Sequence, residues 1–359
     1  MLGYAAKWPL TQPTRIASRL EAAARTIGKG PSMVDAALGQ ALRVRPRSAP
    51  KRGFRYVLGR KSTIAFFMAL PLIALIAVLI VSPAGYAIYL STLTKSMKGV
   101  SWMKNCAWLP DAVCTWMPFG NIQFLFTRET FWKVVYQSCL FAITAVIFKA
   151  IIGFIVAHFV HNIPTKGQRK WRGMLLVPWV IPPAMSTLAW LWLFDPSYSA
   201  FNYALAFLGV GPVPWTGDAS WARFSVILVN IWYGAPFFMI MYLASLKSVP
   251  EQLYEAAEID GANWWQKIWF ITLPMMRNII AITTLFSLIA TFANFDIVRV
   301  LTAGGPLDGT HLFATWAFRI GIEGGDIPLG ASVSLFMVPI LAIAAVFILR
   351  DVNKRGNEA

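Results

Sequence analysis

Four carboxylates lie close together in a chain that has few of them. Glu251, Glu255, Glu258 and Asp260 lie within ten residues, whereas the whole sequence of 359 residues has only 16 Asp and Glu. A quarter of the acidic side chains is therefore concentrated in one short stretch between two long apolar runs. Charged groups clustered in this way predict ionic and hydrogen-bonding contacts with something outside the apolar part of the protein.

The other groups that could do chemistry are sparse. His158 and His161 have the i, i+3 spacing of two metal ligands, but the pattern lacks a third ligand. Residues 59–63 resemble part of a phosphate-binding loop, yet the first glycine of that motif is missing and Arg60 lies where the motif requires glycine. The sequence therefore predicts no catalytic residues, no metal site and no nucleotide site on this chain.

The acidic stretch itself predicts a helix, a turn and a second helix. Pro250 suits a helix start, and Glu251 in the first turn complements the positive end of the helix dipole. Gly261 should end this helix, since glycine readily adopts the left-handed conformation found at helix ends. Asn263 can cap a second segment that runs to residue 273, and Pro274 begins the next element. An ordinary polar hairpin without a partner is the alternative interpretation.

The composition indicates an integral membrane protein. Hydrophobic residues make up 57% of the chain and charged residues 13%, against roughly 25% charged in soluble domains. Six apolar segments are long enough to cross a hydrocarbon core of about 30 Å, and they cover residues 63–90, 134–160, 173–194, 224–246, 278–298 and 329–349. Internal prolines do not exclude helices, because neighbouring helices can satisfy the freed carbonyl groups. We therefore predict an all-α fold with six transmembrane helices.

The distribution of Lys and Arg predicts the orientation. Of 32 such residues, 23 lie on the side that holds both termini and the loop of residues 247–277, and 8 lie on the other side. Positive residues accumulate on the cytoplasmic side of membrane proteins. Both termini and the acidic stretch should therefore be cytoplasmic.

The chain divides into a basic arm of residues 1–61, a membrane domain of residues 62–350 and a cytoplasmic tail of residues 351–359. The arm has 13 basic and two acidic residues. An interfacial helix lying on anionic membrane lipid and a largely disordered tail both agree with this pattern. The formal net charge of +16 is mostly a consequence of topology, so no nucleic-acid partner is predicted.

For two pairs of residues, the sequence does not decide whether the members interact. Cys106 and Cys114 share one loop outside the membrane and could form a disulfide or remain free thiols. Lys149 lies in the middle of the second predicted span, where a charge is costly. This lysine could pair with Asp296, the one acidic residue in any predicted span, or could extend its side chain toward the inner face.

A polar stripe marks the fifth predicted span. Ser287, Thr291 and Asn294 recur at i, i+4 and i+7 on an otherwise apolar segment. In lipid these groups need hydrogen-bond partners, so they should face the helix bundle. Hydrogen bonding between helices and a site for the hydroxyl groups of a bound solute are the two interpretations.

The motif E-A-A, three residues, G, nine residues, I-x-L-P at residues 255–274 resembles the EAA loop of permease subunits of ABC importers. In that family the loop is a cytoplasmic coupling helix that docks into a cleft of the ATPase subunit. The resemblance implies that the coupling residues are Glu255, Ala256, Ala257, Asp260, Gly261, Ile271, Leu273 and Pro274. ATP and Mg²⁺ would then bind to a separate ATPase chain, and this chain would carry no cofactor.

Residues 172–178, 230–237 and 294–306 resemble sugar-type permeases, in particular the larger maltose permease subunit and its relatives for glycerol phosphate and other sugars. Trp190 or Trp192 could stack on the apolar face of a sugar. The resemblance implies solute contacts at Tyr233, Gly234, Phe237, Ser287, Thr291 and Asn294. Thr291 and Phe237 replace an Asn and a Tyr of the maltose subunit, which argues against maltose as the solute. The turn at residues 304–306 would lie where the family's solute-binding protein docks.

The resemblance covers about residues 60–350 and implies a type I ABC importer fold in the bacterial inner membrane. The chain would be a transport subunit rather than an enzyme. Its partners would be two ABC ATPase subunits, a second permease subunit or a second copy of itself, and an extracytoplasmic solute-binding protein that delivers a sugar-like small molecule. The rivals are a secondary carrier driven by an ion gradient, which needs acidic groups near the midplane, and a membrane-embedded enzyme, which needs clustered His, Asp, Glu or Cys.

Overall fold

The computed structural model describes residues 61–95, 114–116 and 118–356. The chain divides into two compact units, Met1–Ala77 and Val78–Ala359. In the first unit, the described residues form helix α1 (Lys61–Ile76), which contains Pro71. Most of the basic arm and Cys106 lie outside the described residues, so the interfacial helix and the disulfide stay predictions.

The second unit is almost entirely helical. Its helices are α2 (Ser82–Ser91), α3 (Gly120–Phe126), α4 (Glu129–Asn162), α5 (Thr165–Leu175), α6 (Val177–Val180), α7 (Pro183–Leu193), α8 (Ala200–Phe207), α9 (Ala219–Leu246), α10 (Glu251–Ile259), α11 (Trp264–Lys267), α12 (Leu273–Phe292), α13 (Asp296–Leu301), α14 (Phe313–Phe318), α15 (Ile327–Leu335) and α16 (Met337–Gly356). π-Helical turns occur at Ala77–Val81, Ile268–Thr272 and Arg319–Glu323. The predicted all-α membrane fold is confirmed, with the addition of one short ribbon.

This ribbon pairs β1 (Leu93–Lys95) with β2 (Cys114–Trp116) in antiparallel register. Leu93 is buried against α15. The Asn121 side-chain amide donates hydrogen bonds to the carbonyl oxygens of Ser91 over 3.0 Å and of Leu93 over 2.7 Å. Strands of three residues are too short for a recognisable alternation of apolar and polar residues, so hydropathy could not reveal them.

Among the described residues, five helical runs are long and apolar enough to cross a membrane: Met68–Ser91, Glu129–Asn162, Ala219–Leu246, Trp264–Phe292 and Ile327–Arg350. They correspond to five of the six predicted spans. The segment of residues 173–194 is divided among α5, α6 and α7, none of which spans a membrane alone. Ile181 adopts an extended conformation (φ −70°, ψ 134°), because a residue before proline is disfavoured in the α region. A crossing at this segment stays a prediction, as does the orientation.

The helices α4, α9 and α12 pack together at the centre of the second unit. Gly153 of α4 permits close approach, since a Cβ atom there would lie 2.3 Å from Phe238 Cβ of α9. The buried side chains of Tyr242 and Met276 belong to the same apolar cluster. Small residues let helices in a membrane approach closely, and these three helices are thereby held around a common interior.

Residues 304–306, with the sequence Gly-Gly-Pro, belong to a compact loop around a buried histidine. The ring of His311 lies against Gly304, where an added Cβ atom would be 2.0 Å from the ring. Gly304 has φ +90°, a conformation that suits glycine. Arg319 Nη1 contacts His311 Nε2 over 2.9 Å. Burial, reinforced by the charge of Arg319, lowers the pKa of His311 to about 4, so the imidazole is neutral at physiological pH.

Candidate functional site

A cavity of about 270 Å³, which we name the central cavity, lies between α4, α9 and α12. All six predicted solute contacts line it, namely Tyr233, Gly234, Phe237, Ser287, Thr291 and Asn294. Its wall is completed by Lys149, Trp179, Asn230, Phe286 and Ala290. The polar stripe therefore faces the bundle interior, as the sequence predicts. Its role in binding solute stays a prediction.

Two amide side chains give the central cavity a hydrogen-bonding capacity that the protein itself leaves unused. Asn230 Oδ1 and Asn294 Oδ1 are buried and have no hydrogen-bond partner among the described residues. A buried acceptor left unsatisfied costs about 1–3 kcal/mol. Both oxygens can accept a hydrogen bond from a hydroxyl group. Asn230 is not among the predicted contacts, although its i, i+4 spacing to Gly234 on an apolar helix is a signal that could have found it.

Lys149 belongs to the wall of the central cavity and is 4% exposed. Its Nζ atom donates a hydrogen bond to Thr291 Oγ1 over 2.9 Å. The structure shows neither the pairing with Asp296 nor an extension toward the inner face, and Lys149 instead faces a cavity and a polar partner, as is usual for a charge within a span. Asp296 is exposed at the start of α13, after α12 has ended, and the buried amine does not reach the inner face. Gly234 makes room for the lysine, since a Cβ atom there would lie 2.6 Å from Lys149 Cε.

The aromatic wall of the central cavity differs from the predicted one. Trp179 and Phe237 both line it, with ring centroids 5.9 Å apart. Trp190 stacks instead on Phe201, and Trp192 is 81% exposed. Because the extended break at residues 181–182 separates α6 from α7, only the tryptophan before the break reaches the cavity. The expectation that Trp190 or Trp192 stacks on a solute is wrong for this cavity.

The acidic stretch forms the predicted helix, turn and helix. α10 begins directly after Pro250 and has Glu251 in its first turn. It ends in a turn where Gly261 has φ +75°. Asn263 then caps α11 through a capping box with Gln266. The predicted helix, the turn at Gly261 and the cap at Asn263 are therefore confirmed.

The predicted coupling residues lie on both sides of this turn. Glu255, Ala256, Asp260, Gly261 and Pro274 are exposed, and Ala257, Ile271 and Leu273 are half-buried. Ile259 and Phe270 add large exposed apolar side chains. Apolar groups beside carboxylates form a surface that is suited to contact with another protein.

α11, the π-helical turn and α12 form one continuous helical run, Trp264–Phe292. The predicted start of the fifth span at residue 278 is therefore wrong, because the helix already begins in the polar hairpin. Pro274 does not interrupt it. The Leu273 N–H bonds to Ile268 O in the π-helical turn, and a local change in hydrogen-bond register can accommodate a proline.

Side-chain hydrogen bonds fasten the hairpin to the membrane helices. The hydroxyl groups of Tyr254 on α10 and Thr272 in the π-helical turn are 2.9 Å apart. Trp264 Nε1 donates to His158 Nε2, near the end of α4, over 3.1 Å. His158 is thus a hydrogen-bond acceptor, and the described part of the chain has no group of three His, Cys, Asp or Glu that could hold a metal ion. The hairpin is therefore connected to α4 and to the helix that lines the central cavity.

Residues 149–353 match a family described as binding-protein-dependent transport system inner membrane component. The match covers more than half of the chain and includes every predicted solute and coupling residue. The chain belongs to this family.

Similar proteins agree with this family membership. The trehalose/maltose transport system permease protein of Thermococcus litoralis is 28% identical over 293 residues, which are 80% of this chain and 94% of that protein. A probable ABC transporter permease protein of Sinorhizobium fredii is 30% identical over 292 residues, which are 81% of this chain and 90% of that protein. A chain in the crystal structure of a bacterial ABC transporter involved in the import of the acidic polysaccharide alginate has the same fold. Its TM-score is 0.67 at 22% identity, with 81% of this chain and 95% of that chain covered.

Membership of the family makes this chain a multi-pass protein of the inner membrane and a component of a transport system, not an enzyme. The resemblance to permease subunits of ABC importers, inferred from residues 255–274, is confirmed. The fold neighbour supports the architecture alone.

The hydrogen bond between Tyr254 and Thr272 can be tested in this family member by Tyr254→Phe. Removal of one hydroxyl costs about 1 kcal/mol and leaves the ring in place, which loosens α10 from the helix that follows. We expect the transport rate in proteoliposomes to fall by up to about fivefold, with unchanged protein level. Tyr203→Phe, at an exposed tyrosine of α8, is the matched control. A wild-type rate for Tyr254→Phe would contradict the expectation.

Proposed function

We propose that this chain is the permease subunit of an ATP-driven importer for a sugar or a sugar-like solute. The central cavity is the observation that carries the proposal. Asn230, Asn294 and Trp179 line the same space, and the amide oxygens of both asparagines are buried without a partner among the described residues. Hydroxyl groups can donate to the oxygens, and the apolar face of a sugar ring can stack on the indole, which is the usual combination of a largely apolar site with a few placed polar groups.

The relatives leave the charge of the solute open. One is named for transport of trehalose and maltose, which are neutral, and the fold neighbour, at 22% identity, carries no argument about the solute. Thr291 and Phe237 differ from the residues of the maltose subunit at the corresponding places, which argues against maltose itself.

The hairpin of residues 251–274 couples the central cavity to ATP hydrolysis on another chain. It presents carboxylates and large apolar side chains to solvent. ATP and Mg²⁺ bind to this ATPase partner, of which the complex has two copies. The hydrogen bonds of Tyr254 and Trp264 transmit a displacement of α10 to α12 and α4.

The remaining partners are a second permease subunit, or a second copy of this chain, and an extracytoplasmic solute-binding protein. The compact loop around His311 is where the binding protein docks, and Leu307 in this loop is 92% exposed. Both termini lie in the cytoplasm, and membrane lipid is a further partner of the chain. Closure of the ATPase pair then rocks the helices between inward and outward access.

The rival function is a secondary carrier driven by an ion gradient. Such a carrier needs acidic groups at a midplane site. Among the described residues, no Asp or Glu lines the central cavity, and Asp296 is exposed outside it. The cavity is thus better suited to a solute delivered by a binding protein.

Co-purification tests the proposal. A tagged version of this chain is expressed with its neighbouring transport subunits, extracted and reconstituted in proteoliposomes. We expect stoichiometric ATPase subunits, hydrolysis stimulated by the solute-loaded binding protein, and uptake that requires ATP. Uptake that persists without ATP but depends on an ion gradient would establish the rival instead.

A further inference from the structure

The charge on Lys149 has no counterpart among the groups around it. The residue lies in the middle of α4, a membrane span, and is 4% exposed. A buried ammonium is strongly unfavourable unless an opposite charge compensates it. No ion pair among the described residues includes Lys149, whose hydrogen-bond partner is the neutral hydroxyl of Thr291.

The hydroxyl of Thr291 cannot serve as the missing charge. Its hydrogen is donated to the backbone oxygen of Ser287 over 2.6 Å, so its oxygen is free to accept from the lysine. A lysine ammonium has three N–H donors, and Thr291 occupies one of them. If Lys149 only joined two helices, an uncharged donor would make the same hydrogen bond without the cost of burying a charge.

The geometry of α9 keeps the lysine at the cavity. Gly234 leaves the space that the side chain of Lys149 occupies, since a Cβ atom there would lie 2.6 Å from Cε and 3.1 Å from Nζ. Asn230 and Asn294 line the same cavity. The cavity therefore combines two amide side chains with one amine, and its lining among the described residues includes no carboxylate.

We propose that Lys149 is a specificity-determining residue that selects saccharides with an oxyanion group, which is a carboxylate, a sulfonate or a phosphate. The inference rests on the proposed function, because it names the class of solute that the central cavity takes. The oxyanion accepts a charge-assisted hydrogen bond from Lys149 Nζ, while hydroxyl groups of the same molecule donate to the oxygens of Asn230 and Asn294. Thr291 positions the amine.

The test compares neutral and acidic sugars of matched shape. The probes are glucose, glucuronate and glucose 6-phosphate, with the disaccharide pair cellobiose and cellobiouronate. Equilibrium binding is measured on the purified complex of permease and ATPase subunits, which removes the selectivity of the binding protein. We expect the acidic member of a pair to bind about tenfold or more tightly, since hydrogen bonds to charged groups are the strong ones.

Two variants separate selection of charge from a structural role. Lys149→Met should abolish the preference for the acidic probe, so that the two members of a pair bind about equally, whereas Lys149→Arg should keep most of the preference. The amount of assembled complex in the membrane is measured for both.

Three outcomes would overturn the inference. Equal or tighter binding of neutral probes by the wild type would leave a sugar importer without charge selection. An equal loss of affinity for both probes in Lys149→Met, together with loss of the assembled complex, would show that the lysine is a structural group or the counter-ion of a charge on a partner subunit. No binding or ATP-dependent uptake of any saccharide would remove the proposed function and the inference with it.

Discussion

Gly261→Trp should abolish ATP-dependent uptake while the protein still inserts in the membrane. Gly261 has φ +75° in the turn between α10 and α11, and a residue with a Cβ atom costs roughly 1–2 kcal/mol in this conformation. The substituted indole would also project from the proposed coupling surface, where an added Cβ atom on Gly261 meets nothing within 4 Å. We expect loss of ATPase co-purification and uptake near background, at a normal amount of protein in the membrane.

Gly209 is a matched control for this substitution. It has φ +72° and likewise no atom within 4 Å, so Gly209→Trp imposes similar backbone strain in the turn after α8. That variant should retain ATPase association and most of its uptake. Normal transport by Gly261→Trp would contradict a coupling role of the turn at residues 260–262. An equal loss of uptake in both variants would contradict it as well.

Gly234→Leu should weaken both solute binding and solute-stimulated ATP hydrolysis. A Cβ atom at this position meets Lys149 Cε at 2.6 Å, so the lysine must move and lose its hydrogen bond to Thr291. The loss of a hydrogen bond to a charged group is worth about 1.5–3 kcal/mol. The added leucine also fills part of a cavity of about 270 Å³. Binding should therefore weaken by at least about tenfold, while ATPase association remains.

The matched control is Gly85→Leu. Gly85 is also helical, in α2, and a Cβ atom there meets nothing within 4 Å. Leucine favours helix over glycine, so this variant should transport like the wild type. Wild-type solute binding by Gly234→Leu would show that the central cavity is not where the solute binds.

Hydropathy predicted the five long helices because burial in lipid selects apolar residues over a whole span. Hydropathy could not locate the beginning of the helical run Trp264–Phe292, which contains the fifth predicted span. Residues 264–277 are amphipathic, and hydrogen bonds of Tyr254 and Trp264 hold their helix in place. Hydropathy also joined residues 173–194 into one span, whereas the backbone at Ile181 turns extended before Pro182. In both cases local stereochemistry sets where the helices begin and end, which an average of hydropathy does not detect.

The site was predictable where a pattern lies on one helix. Ser287 and Thr291 lie on α12, so their common orientation follows from the helical period, and Asn294 lies two residues beyond the end of this helix. Trp179, Asn230 and Lys149 come from three other segments, so their meeting depends on how α6, α9 and α4 pack. In particular, the pairing of Lys149 with Thr291 rather than Asp296 depends on α12 ending at Phe292. No spacing within the sequence carries that information.

The continuous helical run Trp264–Phe292 connects the hairpin to the central cavity through one long helix. From Trp264 to Thr291 the helix is about 40 Å long at 1.5 Å per residue. A tilt of about 10° at the Trp264 end of a rigid helix therefore displaces the polar stripe by about 7 Å, which is about twice the length of a hydrogen bond. The π-helical turn at Ile268–Thr272 departs from the α-helical hydrogen-bond register within this run. A small rotation of the hairpin is thus enough to change the spacing of the residues that line the central cavity.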